Sequence, residues 1–178
     1  MGIWKSCFWF TLREVLLLCV IVGLALSSFL NYSPLRFTGE PLDLAISGQG
    51  FFCLVDEQTA ESAFTRYGRF TLDDNRRLVL QAGGKNWLIQ PPIQVPAEAS
   101  AVAISPSGVV LVREGNTSQA NAWGQIQLAT FDHPRRVRQI APTIFDQTSA
   151  SGPPLLALPG SEGAGLLCQG ALRRSTAY

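Results

Sequence analysis

Residues 41–55 read Pro-Leu-Asp-Leu-Ala-Ile-Ser-Gly-Gln-Gly-Phe-Phe-Cys-Leu-Val and predict two short apolar strands joined at a pair of glycines. Gly48 and Gly50 permit a positive φ or a close approach of backbone at the bend, which a side chain would resist. If the second strand is extended, Phe51 and Phe52 point to opposite faces. Both faces of that strand therefore need cover from other elements.

This stretch belongs to a longer pattern. It follows Thr38-Gly39-Glu40, and further blocks occur at residues 65–73, 104–108, 124–131 and 167–172. In content and order these blocks resemble the bacterial flagellar rod and hook proteins, and within that family the distal rod proteins of the basal body. The resemblance covers residues 38–176 and implies an all-β domain of many short strands. The residues that carry the resemblance, to which it gives structural roles, are Pro41, Leu42, Asp43, Gly48, Gly50, Phe51, Phe52, Arg66, Gly68, Phe70, Gly108, Gly124, Gln125, Gln169 and Gly170.

The composition fits one globular domain with an appendage. The chain has 178 residues, of which 47% are hydrophobic and 15% charged, and its net charge of +1 gives no electrostatic reason to expect nucleic acid as a partner. Sixteen glycines and eleven prolines favour short strands joined by turns. Arg135, Arg136 and Arg138 lie beside His133, and this basic cluster is interpreted as a solvated loop.

Near the N-terminus, residues 15–30 contain no charged residue. Sixteen residues of helix span roughly 24 Å, and Thr11, Leu12, Asn31 and Tyr32 extend this toward the roughly 30 Å of a bilayer core. Lys5 and Arg13 precede the segment, which favours a cytoplasmic N-terminus.

The predicted organisation follows from this apolar segment. Residues 1–14 are a short cytoplasmic N-terminus, 15–32 a single transmembrane helix in the inner membrane, 33–37 a linker and 38–176 a periplasmic β domain. The alternative is a cleaved signal peptide, with Ala25 and Ser27 as the small residues before the cut, and a secreted domain.

Strands within the β domain are predicted at 62–72, interrupted at Gly68, and at 77–81. A hairpin joins 101–105 to 109–113, and further strands follow at 125–131 and 166–172. Turns are predicted at 73–75 and 82–86, and loops at 115–122, 150–154 and 159–165. No helical periodicity of useful length follows residue 32.

No catalytic, metal or cofactor site is predicted. His133 is the one histidine of the chain, and no nucleophile or supporting group accompanies it in a recognisable pattern. Asp73 and Asp74 are interpreted as a turn, since no other metal ligand of a suitable kind lies near them in sequence. The sequence therefore predicts a non-enzymatic protein without a small-molecule substrate.

The rod and hook proteins that the chain resembles carry terminal helices on both sides of the β domain, and neither helix is recognisable in this sequence. In that family the two ends of the globular region lie near each other, which implies that Cys53 and Cys168 are close enough for a disulfide. The alternative is two buried free thiols.

The expected function is that of a membrane-anchored structural or interaction protein at or near the flagellar basal body. Its expected partners are the inner membrane and flagellar rod, hook or other envelope proteins. The alternative is an envelope binding module that reuses this β domain without a role in motility.

Overall fold

A computed structural model describes residues 35–115 and 119–173 of the chain. These residues lie in one compact unit, Pro34–Tyr178. They form β-strands and a short 3-10 helix at Pro134–Arg136, so the predicted all-β domain is confirmed for this part of the chain. Within the described residues, no helix is long and apolar enough to cross a membrane. The predicted transmembrane segment at 15–32 lies outside them.

The strands are short because glycine, proline and polar turns interrupt the apolar segments every few residues. In chain order they are β1 (Leu35–Phe37), β2 (Leu44–Ser47), β3 (Phe51–Asp56), β4 (Ser62–Thr65), β5 (Phe70–Leu72), β6 (Leu78–Ala82), β7 (Lys85–Ile89), β8 (Ala99–Ile104), β9 (Val109–Glu114), β10 (Ala120–Gln125), β11 (Leu128–Thr130), β12 (Arg138–Ala141), β13 (Ile144–Asp146), β14 (Leu155–Ala157), β15 (Leu166–Gln169) and β16 (Ala171–Arg173).

The largest sheet is built around β3. Its strand order is β12-β13-β4-β3-β7-β6-β5, and β11 pairs with both β3 and β14. On one edge β3 pairs with β4. On its other edge, β3 pairs with β11 through its first residues and with β7 through its last ones. Both edges of β3 are paired, so it is a central strand. Nearly all of its side chains are buried, which shows that both faces are covered and explains its continuous apolar run.

The two faces of β3 contribute to two different cores. Phe52 and Leu54 belong to the main core, whereas Phe51 and Cys53 belong to a smaller cluster. The smaller cluster, the aromatic core, comprises Phe51, Cys53, Phe64, Ala129 and Phe131. Its rings meet edge to face, with centroids 5.6 Å apart for Phe51 and Phe131. The prediction that Phe51 and Phe52 point to opposite faces is confirmed.

Three smaller sheets complete the fold: β10-β9-β8, β15-β2 and β1-β16. The predicted hairpin at residues 101–113 is confirmed as β8 and β9, with Gly108 at a φ of 85° in the turn. Ile104, Val110 and Val112 of this hairpin are buried in the main core. The hairpin β6–β7 turns at Gly83 and Gly84, so the predicted turn at 82–86 is shorter than expected.

The predicted linker at 33–37 is wrong in part, because residues 35–37 form β1. Leu35 pairs with Arg173 and Phe37 with Ala171. A three-residue strand beside a proline has too few alternating positions to be recognised in sequence. β1 forms because it pairs with β16, which is distant in sequence.

The last predicted strand, 166–172, is two strands that change partner at Gly170. β15 pairs with β2, whereas β16 pairs with β1. Gly170 has a φ of 70°, which turns the chain between the two sheets.

One predicted loop contains part of a strand, and another strand lies where none was predicted. β10 begins at Ala120, inside the loop predicted at 115–122, because its polar and small residues pair with β9. β14 lies between the loops predicted at 150–154 and 159–165 and pairs with β11.

Candidate functional site

Residues 48–50 carry the chain from β2 into β3, which belong to different sheets. Gly48 and Gly50 have φ values of 122° and 113°. A Cβ added to Gly48 would lie 2.8 Å from Cα of Gly165. The N–H of Gly165 donates to the carbonyl oxygen of Gln49 at 2.7 Å. Both predicted properties of the glycine pair, positive φ and close backbone approach, are therefore present at this crossing.

Arg66 also contacts the crossing. Its guanidinium donates to the carbonyl oxygen of Gly50 at 2.8 Å and also to that of Gly48. The guanidinium carbon lies 5.8 Å from the centre of the Phe51 ring. Arg66 thus binds two glycine carbonyl oxygens and also covers an aromatic ring. The planar guanidinium of arginine suits both contacts, whereas the ammonium group of a lysine would make them poorly.

Gly68 lies where the chain passes against β2. Its carbonyl oxygen accepts a hydrogen bond from the N–H of Leu44 at 2.9 Å. A Cβ added to Gly68 would lie 1.9 Å from the carbonyl oxygen of Leu44, so the position admits no side chain. Phe70 follows and meets Phe52 edge to face, with ring centroids 5.1 Å apart.

Gln169 connects three separate segments. Its Nε2 donates to the carbonyl oxygen of Pro41 at 2.7 Å and to that of Val102 at 3.1 Å. Its Oε1 accepts from the N–H of Ile104 at 3.0 Å. The side-chain amide of Gln169 therefore ties β8 and the segment before β2 to the end of β15.

Asp43, Leu42 and Gly170 lie beside this connection. Asp43 is 2% exposed, and its carbonyl oxygen accepts from the N–H of Gly170 at 2.8 Å. Leu42 is partly buried against the main core.

Gly108, Gly124 and Gln125 form a third group, at the turn of the β8–β9 hairpin. The carbonyl oxygen of Gly108 accepts from the N–H of Ile126 at 2.8 Å. Gln125 Nε2 donates to the carbonyl oxygen of Ser107 at 3.1 Å. A Cβ added to Gly124 would meet only Ile93, at 3.6 Å.

These three groups hold backbone segments together. Their side-chain hydrogen bonds end on main-chain groups. Within the described residues, no group of three or more His, Cys, Asp or Glu side chains is placed to hold a metal ion. Asp73 accepts from the N–H of Arg77 at 2.7 Å, which agrees with the turn interpretation.

Comparisons with known proteins match the sequence of this chain to one family. Residues 45–112 match the family model described as the flagellar hook protein FlgE/F/G D1 domain. The chain is 39% identical over 132 residues to the flagellar basal-body rod protein FlgG of Caulobacter vibrioides, an alignment that covers 74% of this chain and 49% of that protein. It is 37% identical over 136 residues to FlgG of Borreliella burgdorferi, with 75% and 49% covered.

This chain is related in sequence to the flagellar rod and hook proteins. A third rod protein, FlgG of Bacillus subtilis, is 32% identical over 147 residues, with 80% of this chain and 54% of that protein covered. The chain spans about half the length of the curated relatives it matches. These relatives are rod proteins of the basal body and not enzymes, which supports the prediction of a non-enzymatic protein.

The two cysteines of this rod and hook domain lie in different sheets, Cys53 on β3 and Cys168 on β15. Both are free cysteines in the structure; Cys53 is buried, whereas Cys168 is only partly buried. Cys53 is buried in the aromatic core, and this burial raises the pKa of its thiol to about 12. A thiol with so high a pKa is a poor nucleophile for disulfide formation. The proposed pairing stays a hypothesis.

The resemblance to the rod and hook family did not point to the exposed apolar side chains. Leu155, Leu156, Leu158 and Leu166 are between 41% and 59% exposed. Trp123 is 45% exposed and sits at a register shift between Ala122 and Gly124 on the edge strand β10. Leu155, Leu156 and Leu158 lie between two predicted loops, and Leu166 begins a predicted strand. Such short segments give no periodic signal that would separate exposed from buried positions, so only the fold reveals their exposure.

Proposed function

We propose that this chain is a non-enzymatic, membrane-anchored structural or interaction protein related to the distal rod protein of the flagellum. It acts at or near the basal body, with its β domain outside the cytoplasm. The match of the β domain to the flagellar rod and hook family carries this proposal. The rod proteins it resembles are named for the basal body, and the proposal extends that location to this chain.

Residues 15–32 supply the proposed anchor. The absence of charge from Val15 to Leu30 supports insertion into a bilayer, and Lys5 and Arg13 on the preceding side support a cytoplasmic N-terminus. The β domain then follows on the periplasmic face of the inner membrane. A cut near Ser27 would instead release a soluble periplasmic domain.

The proposed partners are rod, hook or other envelope proteins, and the domain offers them a rigid body. Arg66, Gly68 and Gln169 fix strands of different sheets against one another through backbone contacts. We assign the residues that carry the family resemblance to this structural task. The surfaces around them are left for partners, and no bound cofactor is required.

The proposal is tested in motile cells that express the full chain with a C-terminal tag. Membranes are separated from soluble proteins, spheroplasts are treated with protease, and flagellar basal bodies are isolated. We expect a full-length tagged product in the membrane fraction that protease removes from spheroplasts, and that co-purifies with basal bodies.

A matched control carries a cleavable signal peptide in place of residues 1–32, so that the β domain is periplasmic and soluble. Co-purification of this control with basal bodies assigns the contact to the β domain. A shorter soluble product of the natural chain overturns the anchor. Absence of both chains from basal bodies overturns the basal-body location and favours the alternative of an envelope binding module unrelated to motility.

A further inference from the structure

β14 leaves an apolar edge uncovered at the rim of the largest sheet. We call Leu155, Leu156, Leu158 and Leu166 the leucine edge; they are 56%, 59%, 41% and 49% exposed. Among the described strands, β14 pairs only with β11. Leu155 and Leu156 are neighbours on a strand and point to opposite faces, yet both are exposed. Charged side chains are one of the features that protect edge strands, and β14 has none.

Cations lie beyond the N-terminal end of β14. Thr130 of β11 pairs with Leu155, so residues 131–136 continue past this end of the strand. The N–H of His133 donates to the carbonyl oxygen of Ser151 at 3.2 Å, which holds this loop in place. Arg135 and Arg136 are exposed on it.

Other charges at this end offset the two arginines only in part. Asp132 is exposed on the same loop and cancels one of them. Arg138 forms an ion pair with Asp146 at 2.7 Å and adds no net charge. This end of β14, the cationic end, therefore keeps a net positive charge.

An acid lies beyond the opposite end of β14. The carbonyl oxygen of Leu158 accepts from the N–H of Ser161 at 3.0 Å and from its hydroxyl at 2.8 Å. The tight turn that results presents Glu162, which is exposed. A Cβ added to Gly160 would lie 2.8 Å from Leu166 Cδ2, so Leu166 packs against this turn. We call this the acidic end.

We propose that the leucine edge binds a second copy of this chain, with the two β14 strands antiparallel across a twofold axis. In this arrangement the leucines of one copy meet those of the other, because a twofold interface uses the same patch on both molecules. The cationic end of each copy then faces the acidic end of its partner. A parallel arrangement would bring like charges together. This charge complementarity selects a second copy as the occupant.

The proposed contact is small, and one partner molecule is enough to satisfy it. Four partly exposed leucines offer far less area than the roughly 800 Å² per partner of a standard interface, so the association is weak and sensitive to salt. Pro153, Pro154 and Pro159 flank the strand and limit its hydrogen-bonding edge to residues 155–158. Since a twofold contact is satisfied by one partner, it gives pairs and not open filaments.

The test measures self-association of the purified full chain in mild detergent by sedimentation equilibrium, over about 10 µM to 1 mM protein. We expect a monomer–dimer equilibrium whose dissociation constant increases with the salt concentration. Glu162→Arg and Arg136→Glu should each raise the dissociation constant at least about fivefold, because each places like charges opposite one another. The double variant restores opposite charges and should recover most of the affinity.

A second pair of variants tests the apolar part of the contact. Leu156→Lys should abolish association, because the side chain lies near the proposed axis. Ile140→Lys alters a 47% exposed residue on the edge strand β12 and should leave association unchanged. Circular dichroism checks that each variant is folded. A wild-type chain that stays monomeric overturns the proposal, and so does association that neither Leu156→Lys nor Glu162→Arg weakens. Neither result bears on the proposed location at the basal body.

Discussion

Gly68 is the residue at which the fold leaves least space. Its backbone lies against that of Leu44, and an added Cβ would lie 1.9 Å from the Leu44 carbonyl oxygen and 2.9 Å from its carbonyl carbon. We predict that Gly68→Ala lowers the free energy of unfolding by about 3 kcal/mol or more, because backbone must move to admit the methyl group. Urea unfolding followed by circular dichroism measures this change.

Gly124→Ala provides the matched control for that substitution. Gly124 also carries the family resemblance, but its Cβ would make only ordinary contacts with Ile93, at 3.6 and 3.7 Å. We expect a change within about 1 kcal/mol. Equal stabilities of the two alanine variants would contradict the close approach at Gly68.

Lys85 and Asp56 form an ion pair whose contribution to stability depends on pH. Lys85 Nζ lies 2.6 Å from Asp56 Oδ2, and the side chain of Asp56 is 3% exposed. The hydrogen bond from Lys85 lowers the pKa of Asp56, and the same bond raises the pKa of Lys85. A lowered carboxyl pKa stabilises the fold above the unfolded pKa, and this stabilisation disappears as the pH falls through the folded value. The raised lysine pKa stabilises the fold until the pH rises through that value.

We therefore predict that Lys85→Met lowers the melting temperature at neutral pH, and that the difference from the wild type narrows in acid. The variant leaves a nearly buried carboxylate without its lysine, which is unfavourable only while that carboxylate is charged. Thermal unfolding from neutral pH down to below the ordinary aspartate pKa measures the difference. Arg138→Met removes an exposed ion pair and should change stability little at any pH. A Lys85→Met difference that is constant with pH would refute this account.

At the scale of elements, Gln169 joins β15 to β8 and to the segment before β2. We predict that Gln169→Glu lowers the free energy of unfolding by about 2–3 kcal/mol. The carboxylate would face the carbonyl oxygens of Pro41 and Val102, to which the amide now donates. Gln125→Glu is the control, since Gln125 donates to one exposed carbonyl oxygen. This substitution should lower the free energy of unfolding by less than about 1 kcal/mol. The two variants are compared by urea unfolding, and equal effects would mean that Gln169 does not connect these elements.

The elements that were predicted from the sequence are those with local signals. The alternation around Phe51 and Phe52 and the glycine turn at Gly108 depend on neighbours in the chain, and both are confirmed. β1 and β14 could not be predicted, because each has three residues and exists through a partner distant in sequence. Periodicity needs more positions than such strands provide.

The residues of the candidate site likewise fall into those that the sequence could identify and those that only the fold reveals. Gly48 and Gly50 were identified because glycine permits a positive φ or a close backbone approach at the bend between two strands. The importance of Gly165 could not be predicted, since it follows from the approach of Gly48 across two sheets. The leucine edge was also missed, because exposure is a property of the assembled sheet.

At the scale of the whole molecule, the fold depends on pairings between distant parts of the chain. β2 pairs with β15, and Gln169 bonds to Pro41 over a separation of 128 residues. Folds with so many distant contacts close large loops before they gain stabilising interactions, and they fold more slowly than helical domains of similar size.

The pairing of β1 with β16 also determines how the domain responds to mechanical tension. Leu35 and Arg173 are direct partners in an antiparallel ladder, so the chain enters and leaves the β domain side by side. Tension applied at these two residues opens that ribbon one residue pair at a time, in the manner of a zipper. The force passes across this ribbon first and reaches the large sheet only after the ribbon has opened. Under tension, the two-stranded β1–β16 ribbon therefore opens first, while the sheet around β3 stays folded.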